Sequence, residues 1–271
     1  MKNFIYLLQG ESKFVNKYFH LAERKDADAI FLTYDNKIDN AIFLPNSTWS
    51  EGRNKLLDTA RKKGNYHYYI FCDDDIEFRK GSWDEFEELL ILHKPAIGFP
   101  VVPCDNKIKI NLLDLQLNDS PDQQMIAFHR DLIDDNLILP YQEHLDNICM
   151  WGSGGVIQQI IPNLYKWNSI QFNTVVIRNL MHSRYDRTNL FKNLQVCINW
   201  FRDETTREMK IVNKNKYGIT LRKIIIMFKT ILYLLKYQST YDSYRVDEDK
   251  IQKLFKINSV FYKQYRCGSK R

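Results

Sequence analysis

The stretch YYIFCDDDIEF, Tyr68 to Phe78, sets three carboxylates directly behind an apolar, aromatic run. The run reads as a β-strand that ends where the aspartates begin. Adjacent carboxylates raise one another's pKa unless a cation or hydrogen-bond donors offset them, so this stretch requires a positive partner. The segments on either side decide what kind of fold presents it.

Upstream, short apolar runs alternate with helical patterns. FIYLL (Phe4–Leu8) reads as a first strand and KFVNKYFHLAER as a helix, and AIFLTYD (Ala29–Asp35) and AIFLP (Ala41–Pro45) read as further strands. Ser47, Thr48 or Ser50 is placed to cap a helix over EGRNKLLDTARKKG, whose inner face is Leu56, Leu57 and Ala60. Downstream, SWDEFEELLILHK is a capped helix closed by Pro95, and AIGFPVV is another strand. Strands and helices alternating at these lengths predict an α/β fold, a mostly parallel sheet with helices on both faces. Such sheets bind ligands at the carboxyl ends of their strands, the edge where Asp73, Asp74 and Asp75 fall. From Lys107 to Arg187 the pattern is less regular. MIAFHRDLI and QFNTVVIRN look like strands, SGGVIQQIIPNLY like the start of a helix, and LPYQEHLDNICMWGSGG like a polar and aromatic loop. Beyond Tyr217 the pattern turns helical again.

The bulk numbers fit this picture. A chain of 271 residues with 44% hydrophobic and 27% charged content suits one large globular domain, or one domain with an appendage. Five scattered cysteines without a C-x-x-C pair argue against a zinc ribbon or a disulfide framework and favour a reduced, cytoplasmic compartment. The N-terminal apolar run is too short for a signal-peptide core.

The net charge of +6 is unevenly spread. From Lys214 onward 14 Lys/Arg face 4 Asp/Glu, a net +10, which leaves the body at −4. A basic tail on an acidic body predicts that the tail seeks a negative surface. Within 216–238, Arg222, Lys223, Lys229 and Lys236 interrupt the apolar run too often for a membrane span. Arg222, Lys229 and Lys236 recur every seven residues, so a helix stacks them on one face opposite Ile, Leu, Met and Phe. That is the form of a helix lying on an anionic membrane surface, peripheral on the inner face of the plasma membrane. The other reading is a helix packed on the body with a solvated basic stripe. No nucleic-acid-binding signature accompanies the basic tail, which excludes that partner from the expectations.

On a strand end alternate side chains share a face, so Asp73 and Asp75 are expected to point together and Asp74 away. A hard divalent cation, Mg²⁺ or Mn²⁺, takes one or two carboxylates and completes its shell with phosphate oxygens and water. Here the sequence resembles a known family: FCDDDIEF is similar to the D-x-D motif of GT-A glycosyltransferases. The resemblance covers roughly residues 1–187, and IFCDDDIEF, AFHRD, LPY and NLMHSRYD together look like bacterial GT-A-type transferases of surface polysaccharide (lipopolysaccharide or capsule) synthesis. It implies a Rossmann-like catalytic domain, taken as 1–213, with a nucleotide-binding half near 1–105 and an acceptor half near 106–213, followed by a basic helical extension, 214–271. It also implies a nucleotide-diphosphate sugar donor and a glycan or lipid-linked acceptor. Asp73, Asp75 and His182 would hold the metal. Arg53, Asp73, Asp74 and Arg184 would serve the nucleotide and its diphosphate, with Arg187 beside them. Asp146, or second Glu143, would deprotonate the acceptor hydroxyl as an inverting enzyme requires. Trp151 would carry the acceptor sugar on its ring face, and Gly152, Gly154 and Gly155 would let backbone approach ligand. No Q-x-x-R-W motif is present, which favours transfer of a single sugar over processive synthesis. Two alternatives stand beside this reading: a nucleotidyltransferase, against which the single Gly of LLQGESKF counts, and a membrane-associated binding protein with the same fold and no turnover.

Overall fold

The computed structural model describes residues 2–103, 113–180, 189–211, 226–233, 243–260 and 262–264. The first strands form because short, unbroken apolar runs are long enough to be covered on both faces. These are β1 (Phe4–Gly10), β2 (Ala27–Thr33), β3 (Ala41–Phe43) and β4 (Tyr68–Asp73). Every residue of β1 is buried, as are the first five of β4. They pair in the order β3-β2-β1-β4, all parallel, with Gln9 opposite Asp73 at the carboxyl edge.

The second half of the sheet is mixed. It adds β5 (Ile76–Lys80), β6 (Ile97–Val101), β7 (Leu115–Leu117), β8 (Met125–His129) and β9 (Ser169–Asn179). β8 lies antiparallel between β4 and β6, and β9 runs parallel to β6 but antiparallel to β5 and β7. The fold class is therefore the expected Rossmann-like α/β one, while only the β1–β4 half is parallel throughout; in the other half β6 and β9 are parallel and the remaining described pairs antiparallel. MIAFHRDLI, read as one strand, is strand only as far as His129, where α4 (Arg130–Asp135) begins.

Helices cover both faces. On one, α2 (Trp49–Lys63), α4, α5 (Gly152–Leu164) and α6 (Leu190–Glu204) bury apolar side chains against Ile5, Leu7, Phe71 and Phe128. On the other, α1 (Ser12–Val15), the 3₁₀ helix Asn16–Glu23 that continues it, and α3 (Trp83–His93) pack on Tyr6, Leu8 and Ile70. α2 starts at Thr48 with a capping box: its hydroxyl accepts from Glu51 N–H, and the Glu51 carboxylate accepts from Thr48 N–H at 2.8 Å.

The described part of the basic tail packs onto the body. Helix α7 (226–233) is pinned by Thr230, whose Oγ1 accepts from the Leu117 amide at 3.0 Å, and by buried Tyr233. Further on, the Tyr244 and Val246 amides donate to the carboxylates of Asp131 and Asp135 in α4. α8 (Glu248–Leu254) comes next, and Thr205 and Phe255 form a β-bridge. Of the basic stripe, Lys229 is described and exposed, whereas Arg222 and Lys236 lie outside the described residues. Among the described residues no helix is long and apolar enough to cross a membrane.

Candidate active site

The β1 and β4 strands end side by side, and the turns leaving their carboxyl ends border a cavity of about 360 Å³. Gly10 makes the close approach possible: a Cβ there would lie 2.0 Å from Asp74 Cγ. Through this gap the Asp74 carboxylate reaches the Glu11 amide and accepts from it at 2.6 Å. Strand geometry stops at Asp73, and Asp74 and Asp75 form a turn into β5. Asp74 and Asp75 thus lie beyond the strand, and Asp73, Asp74 and Asp75 are all lining residues of the same cavity.

Arg53 supplies the counter-charge, from beneath rather than from the ligand side. Its Nη2 donates to Asp73 Oδ1 and to the Gln123 carbonyl, each at 2.7 Å, and its Nη1 donates to the Tyr141 hydroxyl at 3.2 Å. The guanidinium sits 4.2 Å from the Trp49 ring centroid, so an aromatic face covers its remaining side. The residue is fully buried and does not line the cavity. The sequence reading that put Arg53 against a donor phosphate is corrected here: the guanidinium is buried away from the cavity and its two Nη groups bond Asp73, the Gln123 carbonyl and the Tyr141 hydroxyl, while its Nε has no partner among the described residues.

Asp75 is the carboxylate with capacity to spare. It is buried, and its Oδ1 has no hydrogen-bond partner among the described residues, while the Asn179 side chain at the end of β9 bonds to its carboxylate. Burial, reinforced by Asp73, pushes its carboxyl up to about 6. Burial likewise pushes Asp74 up to about 7, against the bond from Glu11 and with the repulsion of Asp75 and Asp73. Both groups are thus short of positive charge. No Lys or Arg lines the cavity among the described residues. An unpartnered buried carboxylate oxygen next to a second carboxylate is the donor set a hard divalent cation takes, so the residues fit Mn²⁺ or Mg²⁺. Among the described residues no three His, Cys, Asp or Glu groups converge to hold a metal by themselves, and ligand oxygens or water would complete such a shell.

Asp146 reaches the same cavity from the opposite wall. One of its oxygens accepts from the Ser50 amide and the other from the Ser50 hydroxyl, each at 2.7 Å. It therefore meets the positive end of α2, and burial raises its pKa against the pull of these bonds and one from Thr48. Trp151 also lines the cavity. Glu143 does not; it is exposed, and its Oε1 accepts from Asn54 at 2.7 Å. Gly152 and Gly155 face Cys197 and Leu194 of α6, so their missing side chains admit a helix rather than a ligand, and Gly154 faces Gln123. His182, Arg184 and Arg187 lie outside the described residues.

Several cavity residues had no signal of their own in the sequence. Gln9 and Tyr34 follow from the rule that ligands sit at the carboxyl ends of β1 and β2, and that rule would have found them. Met150 comes from a loop, and Asn179, which bonds Asp75 without lining the cavity, comes from a distant strand end; only the folded chain brings them in.

No protein-family model and no curated protein sequence matches the chain. Among solved structures, S. aureus TarS residues 1–349 superposes with a TM-score of 0.51 at 10% identity, covering 88% of this chain and 72% of that one. TarS 1–349 in complex with UDP-GlcNAc gives 0.49 at 12% identity, covering 93% and 78%, and the complex with UDP gives 0.46 at 12%, covering 93% and 77%. At such identities the likeness is one of architecture. This chain carries its aspartate cluster on a fold similar to that of TarS.

Proposed function

We propose that this chain is a glycosyltransferase that moves a single sugar from a nucleotide-diphosphate sugar to a glycan or lipid-linked acceptor of bacterial surface polysaccharide, using Mn²⁺ or Mg²⁺. One observation carries the reading: Asp73, Asp74, Asp75 and Asp146 all line one cavity at the carboxyl ends of β1 and β4, and Asp75 has a buried carboxylate oxygen without a partner among the described residues. A diphosphate brings negative charge into a cavity already lined by carboxylates, so a cation must mediate between them. Asp75 and the free oxygen of Asp73 would hold it, and when bound it neutralises charge on the leaving nucleoside diphosphate.

The chain's own groups do the rest. Arg53 holds the Asp73 carboxylate in place through its hydrogen bond to Oδ1. Asp74 ties the end of β1 to the turn, which holds the floor rigid. Asp146 on the opposite wall takes the proton of the acceptor hydroxyl as that oxygen attacks the anomeric carbon, giving inversion. Trp151 offers an aromatic face to the acceptor sugar. His182 and Arg184 would join the diphosphate contacts. The resemblance at the D-x-D motif supplies the donor class, and the shared TarS-like architecture agrees with it.

The test is thermal stabilisation by UDP and GDP with and without Mn²⁺, followed by a screen of nucleotide-sugar hydrolysis. The expected outcome is a nucleotide shift that needs Mn²⁺ and disappears in Asp75→Asn. A shift of equal size in EDTA, or in the Asp75→Asn protein, refutes the metal assignment. Asp146→Asn should keep the nucleotide shift and lower turnover by about 10²–10⁴-fold.

A further inference from the structure

The start of α2 holds carboxylates on both walls of the cavity. On one side the Trp49 indole N–H donates to Asp73 Oδ1 at 3.4 Å, and Arg53 Nη2 reaches the same oxygen at 2.7 Å. On the other, Ser50 bonds Asp146 twice: its amide donates to Oδ2 and its hydroxyl to Oδ1, each at 2.7 Å. The Thr48 hydroxyl, which accepts from the Glu51 amide, gives its own hydrogen to the Asp146 carboxylate. Ser50 is fully buried, so water does not compete for its hydroxyl, whereas Asp146 is half-buried and lines the cavity.

An ionised carboxylate offers about four acceptor sites. The Ser50 amide, the Ser50 hydroxyl and the Thr48 hydroxyl occupy all but about one of them, which is left for a ligand. The charged and titratable groups that face Asp146 are Glu51 in α2, the buried Cys197 thiol of α6, and Asp73, Asp74 and Asp75 across the cavity. Glu51 opposes its ionisation, as burial does, and the hydrogen bonds from α2 act in the other direction. We propose that Ser50 is a positioning residue for the acceptor-side base: its amide and hydroxyl together leave one lone pair of Asp146 for the cavity. The use of that lone pair rests on the transferase reading above. There the acceptor O–H bond breaks and its proton passes to Asp146, while the oxygen bonds the anomeric carbon. The electron pair of the old bond from that carbon leaves with the nucleoside diphosphate.

Two measurements on the full chain test this: NMR titration of carboxyl-labelled aspartates in EDTA, with the Asp146 signal identified by its loss in Asp146→Asn, and kcat/KM against pH at saturating Mn²⁺. Ser50→Ala removes a donor that favours the ionised form, so the Asp146 midpoint should rise by about one pH unit. The acidic limb of kcat/KM should rise with it. Ser50→Cys keeps a weak donor, should shift both by less, and serves if Ser50→Ala folds poorly. Mn²⁺-dependent stabilisation by nucleotide should persist in both variants, because Asp73 and Asp75 are untouched. The proposal is overturned if the Asp146 midpoint is the same in both variants as in the wild type. It is also overturned if the midpoint rises while the acidic limb stays in place, since Asp146 would then not be the base. A wild type without nucleotide-sugar turnover refutes the transferase reading, and the carboxyl titration still decides whether Ser50 sets the state of Asp146.

Discussion

The pairing of Arg53 with Asp73 predicts a specific thermodynamic signature. Arg53→Met keeps the aliphatic stem against Trp49 but removes three hydrogen bonds: two to charged or carbonyl acceptors at 2.7 Å and one to the Tyr141 hydroxyl at 3.2 Å. Its side chain is 1% exposed and that of Asp73 22% exposed, so Asp73 recovers some hydration when the arginine is lost. Breaking a buried pair costs about 3–5 kcal/mol, and the partial exposure of Asp73 puts Arg53→Met at the low end, about 3 kcal/mol. At roughly 2–4 °C per kcal/mol for a chain of this size, the melting temperature should fall by roughly 6–12 °C. Asp73→Asn should cost more, about 4 kcal/mol, because it strands a guanidinium with no route to water. The double variant removes both charges and should lose less than the sum of the two, by about 1.5–3 kcal/mol. Urea unfolding in EDTA measures all three without any contribution from metal. If the double variant equals the sum within about 0.5 kcal/mol, the two side chains do not form the floor of the site and the account of the counter-charge fails.

The same geometry carries further expectations. Gly10→Ala drives a methyl into Asp74 and should cost about 1–3 kcal/mol and abolish nucleotide-dependent stabilisation. Gly64→Ala, whose Cβ would meet nothing closer than 3.7 Å, should stay within about 0.5 kcal/mol in the same melts. Thr48→Ala removes the hydroxyl of the α2 cap and should cost about 1 kcal/mol by urea unfolding, whether or not nucleotide is present. The pH dependence has a definite sign. The Asp75 carboxyl stands at about 6 in the folded chain, above its usual value, so the native state holds a proton that the unfolded chain has already lost. Its contribution is therefore fully present below about pH 4 and lost as pH rises through 6. In EDTA, Asp75→Asn should gain on the wild type between about pH 4.5 and 7.5 by on the order of 2 kcal/mol, and Mn²⁺ should stabilise the wild type alone at the higher pH. A gap of constant size across that range would refute the burial of this carboxyl.

Much of the first half was legible along the chain. The runs at Phe4, Ala29 and Tyr68 became β1, β2 and β4 because unbroken apolar stretches of strand length can only be buried in a covered sheet. Two helix starts were legible because a side-chain oxygen there meets free amides of the first turn: Ser82 caps α3, and of Ser47, Thr48 and Ser50 it is Thr48 that caps α2. The aspartates were placed at the carboxyl edge of the sheet by the same local reading. Three of the described elements had no expectation at all. β5 and β7 are short and take their partners from β9, about a hundred and about fifty-five residues further on, and α6 fills the space left by Gly152 and Gly155.

Local pattern was enough for the α/β class, the capped helices and the position of Asp73, Asp74 and Asp75, since these depend on the periodicity of neighbouring residues. The task of each carboxylate emerged only in the folded chain. Arg53, expected at the nucleotide, is instead enclosed by β4 and the Gln123 carbonyl, and Asp146 meets Ser50 across 96 residues of chain. Such partners are set by chain closure, which places groups together that no local pattern relates, and burial then fixes which of them keep a proton and which keep a free oxygen.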